Sequence, residues 1–135
     1  MGYNSEVSMK KFLILFLLLG FVSPVFAATW EQISEKTWID IDSIKNNPYV
    51  KNVKSAWFKS LNPGNWELEN NKKVWYQLDL VEFKCNENLI SLRSYASYDL
   101  KGTVISSNDW QDHRWHVVIP ESVGERKYHI VCEVY

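Results

Sequence analysis

The chain has 135 residues, 46% of them hydrophobic, 15% aromatic and 23% charged, with a formal net charge of −1. That is the size of one domain and too apolar for a disordered chain, while near-neutral charge excludes bulk electrostatic binding to nucleic acid or anionic lipid. Two cysteines are too few for a disulfide-dense scaffold or a four-cysteine zinc site.

The first segment reads as a targeting signal. Lys10-Lys11 precedes an almost wholly apolar run, Phe12 to Val22, which Ser23-Pro24 interrupts before the small-residue site Val25-Phe26-Ala27. This is the anatomy of a secretory signal peptide, covering residues 1–27, with Met9 the expected true start. An uncleaved membrane anchor is the alternative, since no residue from Phe12 to Trp30 is charged. Pro24 argues against it by shortening the strongly apolar stretch. No cysteine follows that stretch directly, so a lipid-anchored form is not expected, nor is a stable membrane anchor after cleavage. The mature chain, 28–135, keeps both Cys85 and Cys132. An even count in an exported protein reads as one disulfide rather than two buried thiols.

In the mature chain, apolar residues fall in short runs separated by turn chemistry, the pattern of strands. Trp38 to Ile41 alternates and ends at Asp42-Ser43, a pair suited to capping a short helical turn before Pro48. Tyr49 to Leu61 reads as a long strand, and Asn62-Pro63-Gly64-Asn65 as a turn opening a polar loop through Lys73. Val74 to Cys85 reads as a second long strand, apolar in part on both faces and therefore central. Leu89–Tyr98 and Thr103–Ser107 follow, joined by a hairpin loop ending in Gly102. Trp115 to Ile119 could form a last strand before Pro120. Val123, Lys127, Ile130 and Val131 recur near helical spacing, so 121–133 reads as one C-terminal helix. The expected fold is α+β: a single antiparallel sheet of about five to six strands with that helix stapled on by Cys85–Cys132.

The ordered set Trp38-Ile39-Asp40-Ile41-Asp42-Ser43-Ile44, Ala56-Trp57-Phe58-Lys59, Lys84-Cys85-Asn86, Tyr98 to Ile105, Ile119 to Glu125 and Cys132 resembles the surface-adhesin protein E-like domain of Gram-negative bacteria. The resemblance runs from about Trp30 to Cys132 and implies the same sheet, helix and disulfide. It also implies a protein or glycan ligand, with binding of host extracellular-matrix and plasma proteins by the family's named member, and a homodimer as a possible state. The chain departs from that lipoprotein member in lacking a lipid-attachment cysteine.

Candidate chemistry is sparse. His113 and His116, near Asp109 and Asp112, are weak metal candidates, because residues three apart converge only on a loop or helical turn. Asp40 and Asp42 share a strand face, as paired carboxylates would need, though a capping role is the plainer expectation. No Gly-x-Ser-x-Gly or His-Glu-x-x-His pattern occurs, so neither an enzyme nor a cofactor is expected. Residues 45–84 carry seven lysines against four acids, either a basic patch or solvated sheet edges. Trp66, in the polar loop, with Lys59, Lys72 and Lys73, forms the candidate binding surface. The expectation is an exported, non-enzymatic binding module, in the periplasm, secreted or at the cell surface. The alternative is a periplasmic inhibitor or accessory protein of an envelope enzyme.

Overall fold

A computed structural model describes residues 27–61 and 71–135. The expected signal segment and Trp66 lie outside the described residues. Among the described residues eight antiparallel strands form one sheet: β1 (Trp30–Ser34), β2 (Thr37–Asp40), β3 (Lys45–Asn46), β4 (Val53–Leu61), β5 (Tyr76–Lys84), β6 (Leu89–Tyr98), β7 (Val104–Asp109) and β8 (His116–Val117). Six run in the order β1-β2-β4-β5-β6-β7, while the two-residue strands β3 and β8 pair with β4 and β6. The strands beyond those expected are β1 and β3, while β8 is a short form of the expected last strand.

Three expected strands are shorter than the sequence implied, the second long one only at its ends, Tyr76–Lys84 in place of Val74 to Cys85. The first does not begin at Tyr49 but at Val53, because Asn47 Oδ1 accepts hydrogen bonds from the amides of Tyr49 and Val50 and Asn52 adopts φ 62°. That local Asx turn competes with sheet pairing until the chain is past it. The last strand keeps only His116–Val117, paired with Ile90 and Leu89. The short helical turn is a 3-10 turn over Ile41–Ser43, and its cap is Asp40, not Asp42: Asp40 Oδ1 accepts from the Asp42 amide at 3.2 Å. Ser43 then ties the turn to the sheet, donating to the Asp40 carbonyl at 2.6 Å and accepting from the Trp57 amide at 2.8 Å.

The helix α1 spans Val123–His129 and passes into a π turn over Ile130–Val134, so the expected 121–133 helix changes hydrogen-bonding pattern midway. Ser122 caps it by accepting from the Glu125 amide at 3.1 Å, and the Glu125 carboxylate reaches back to the Glu121 amide at 2.5 Å. This exchange resembles a capping box. Cys85 and Cys132 are bonded, with Cα atoms 5.3 Å apart, and fix the middle of the π turn to the end of β5.

Register and burial sort the side chains into two faces. Ile39 pairs with Phe58 and Ala56 with Val81. Together with Phe83, Tyr128 and Val131 they make the buried core under the helix. Phe83 meets both Phe58 and Tyr128 edge to face, at 6.0 and 6.3 Å between centroids. Farther along the same face of β5 the core turns polar. Asp79 is buried and accepts from Gln77 Nε2 at 2.6 Å, and Lys127 comes down from the helix with Nζ 4.6 Å from the Phe58 ring centre. Burial raises the Asp79 carboxyl above its ordinary value of 3.8, against the pull of the Gln77 hydrogen bond and of Lys127. Burial lowers the Lys127 ammonium, against the attraction of Asp79.

Candidate functional site

Because side chains alternate along a strand, residues one step out of phase with the core point away from the helix. On this outer face Trp38 lies beside Lys59, and Lys59 beside Leu78. Trp30 is paired with Asp40 on the edge strand, and Leu61 with Tyr76. Tyr76 in turn faces Tyr98. A transverse band therefore crosses five neighbouring strands at one end of the sheet, and all of its members are half-buried. Half-burial of so many aromatic rings on one face is the arrangement of an interaction surface more than of a solvated sheet face.

Lys59 sits at the centre of the band. Its Nζ lies 4.7 Å from the Tyr76 ring centre, and Tyr76 stacks on Tyr98 at 4.6 Å with 7° between planes. Ammonium and two rings thus stand in a row, the ring quadrupole of Tyr76 attracting the charge. Burial, with Tyr98 and Asp99 nearby, raises the Tyr76 phenol above its ordinary value of 10.0, so it stays neutral. On the other side of Lys59 a cleft of about 150 Å³ opens between Trp30, Trp38, Lys59 and Leu61.

Of the residues named from the sequence as a candidate binding surface, three lie among the described residues at this end of the sheet. Lys59 lies in the band, while Lys72 and Lys73 are exposed in the segment that leads into β5 at the same end of the sheet. Sequence reasoning missed Trp30, Trp38, Tyr76 and Tyr98 as members of the site. The alternation within Thr37–Asp40 and Val53–Leu61 places Trp38 and Lys59 out of phase with Ile39 and Phe58, and that signal was available.

A second cluster lies farther along the outer face. Glu82 has Arg93 Nε at 3.5 Å and His113 Nε2 at 2.6 Å, the latter an ion-pair distance without hydrogen-bond alignment. His113 stacks on Trp115 at 5.3 Å, and Lys84 Nζ lies 4.9 Å from the Trp115 ring centre. Arg93 is the extra residue where β6 bulges against β5, between the Leu80 and Val81 pairs. Its carbonyl accepts from the Trp110 amide at 2.9 Å. The bulge thereby frees a carbonyl and a guanidinium to strap the segment after β7 onto the sheet. His116 is separate from His113, exposed beside a groove with Leu92, Trp110, Asp112 and Arg114. Among the described residues no three His, Cys, Asp or Glu side chains are placed to hold a metal ion. Asp40 is occupied in capping the Asp42 amide, and the Asp42 carboxylate accepts from Thr29 Oγ1 at 2.6 Å.

The family model for surface-adhesin protein E matches residues 28–133. No curated protein sequence matches the chain. Crystal form II of Haemophilus influenzae protein E superposes with a TM-score of 0.58 at 13% identity, covering 84% of this chain and 96% of that one. A second structure of the same protein gives 0.57 at 13%, covering 85% and 92%. Protein E from non-typeable Haemophilus influenzae gives 0.56 at 12%, covering 82% and 81%. At these identities the likeness is one of fold.

Proposed function

The chain belongs to the surface-adhesin protein E family, and on that footing we propose that it is an exported, non-enzymatic interaction module that binds an extracellular macromolecule through the outer face of its sheet. The observation that carries this reading is Lys59, which stands among Trp30, Trp38 and Tyr76 with no carboxylate partner among the described residues. Tryptophan and tyrosine dominate binding energy at protein interfaces, typically about 2 kcal/mol or more at each central anchor. Lysines at the rim, here Lys72 and Lys73, would speed association with an acidic partner in a salt-dependent way. No helix among the described residues is long and apolar enough to cross a membrane. Export with removal of residues 1–27 belongs to the same reading, and the test is the intact mass of the exported protein, expected to correspond to a chain beginning at Ala28.

The test is solid-phase binding of the purified protein to a panel of extracellular-matrix and plasma proteins. Saturable binding to at least one of them supports the reading. Binding to none, with inhibition of an envelope enzyme such as a lysozyme, would replace it by the inhibitor alternative.

A further inference from the structure

The cleft on the outer face has a chemistry more specific than the band around it. Its lining is Trp30, Trp38, Lys59 and Leu61, and these four side chains offer three donor groups, two indole N–H and one ammonium, and no acceptor. A ligand that fits must therefore bring acceptors to the lysine end and apolar surface to the rest. About 150 Å³ is the size of an apolar cavity that holds a benzene-sized group. A saccharide ring is matched less well, because among the described residues none of the four lining side chains accepts from its hydroxyl hydrogens. A peptide fits well: one large apolar side chain fills the space between the indoles, and a neighbouring carboxylate reaches the ammonium.

We propose that this cleft is the specificity pocket for an acidic segment of a protein partner, taking an aromatic or large aliphatic side chain adjacent to an aspartate or glutamate. The proposal rests on the interaction-module reading above and deepens it. Charge complementarity selects the occupant. Among the described residues Lys59 is the one charge in the lining, and the ring of Tyr76 on its far side holds the ammonium without neutralising it. The Tyr76–Tyr98 stack packs behind it and restricts where it can move. Lys59 is half-buried, so an incoming carboxylate meets a charge already partly stripped of water, which strengthens the pair and raises the cost of leaving it unpartnered.

The experiment is an NMR titration of the indole N–H signals of the purified, disulfide-bonded protein, assigned through Trp30→Phe and Trp38→Phe. The probes are two blocked dipeptides, phenylalanine–glutamate and phenylalanine–glutamine, and glucuronate. The glutamate peptide should shift Trp30 and Trp38 together and bind about threefold to tenfold more tightly than its glutamine analogue. Lys59→Gln should remove that difference and Lys59→Arg should keep it, with the remaining indole signals unmoved as the check on folding. Equal binding of the two peptides, no shift with either, or glucuronate binding as tightly as the glutamate peptide would each overturn the proposal. If extracellular proteins bind while neither peptide moves the indoles, the cleft assignment fails and the broader function stands. If the peptide binds and no extracellular protein does, the reverse holds.

Discussion

Tyr128 donates its hydroxyl hydrogen to the carbonyl of Cys85 at 2.6 Å, and the sulfur of that same Cys85 is bonded to Cys132, one helical turn beyond Tyr128. The helix is thus held to the end of β5 twice, by a covalent bond and by a partly buried hydrogen bond. Closing a loop with a sequence separation of 47 stabilises the fold by about 4 kcal/mol if the effect is one of chain entropy. Reduction should lower unfolding free energy by up to that amount, read from urea curves of oxidised and reduced protein. Tyr128→Phe should cost about 1–2 kcal/mol in either state, because it strands the Cys85 carbonyl.

Ser43 carries a comparable bond with less sequence signal. Its hydroxyl accepts from the Trp57 amide while donating to the Asp40 carbonyl. Ser43→Ala leaves a β4 amide without its partner, at an expected cost of about 1–2 kcal/mol. A thermal melt of the variant reads this directly, and an unchanged Tm would show that water replaces the hydroxyl at no cost.

The buried Asp79 sets a pH dependence of defined sign. Its folded carboxyl titrates above 3.8, so between the two values the native state holds a proton that the unfolded chain has released. The stability this group contributes is complete below 3.8 and is lost as pH rises through the raised folded value. The difference in unfolding free energy between wild type and Asp79→Asn should therefore fall across that window and level off above it. A difference that instead rises with pH below 3.8 would mean that the attraction of Lys127 outweighs burial.

The sheet and its disulfide were legible from residues 37–132 because strand alternation and cysteine parity are local or countable signals. Boundaries were less so. Tyr49 looks like strand, yet Asn47 closes an Asx turn over it, a side-chain bond that periodicity does not register. Asp40 and Asp42 are equally good caps in sequence, and only the turn geometry chooses Asp40. The site was read from loop composition at Trp66, whereas the band joins residues from β1, β2, β4, β5 and β6. Lys59 was named, but its neighbours depend on which strands pair and in what register, information that no single segment carries.

Whether the outer face is the binding face is decided by the affinities of three forms of the protein. Wild type, Lys59→Glu with Trp38→Ala, and His129→Ala on the exposed face of the helix would be titrated against any extracellular protein that the wild type retains, with Tm measured alongside. An outer-face site requires at least about tenfold weaker binding by the Lys59/Trp38 variant, with Tm within a few degrees of wild type and the helix variant binding normally. Undiminished binding by the outer-face variant, with loss in the helix variant, would contradict it.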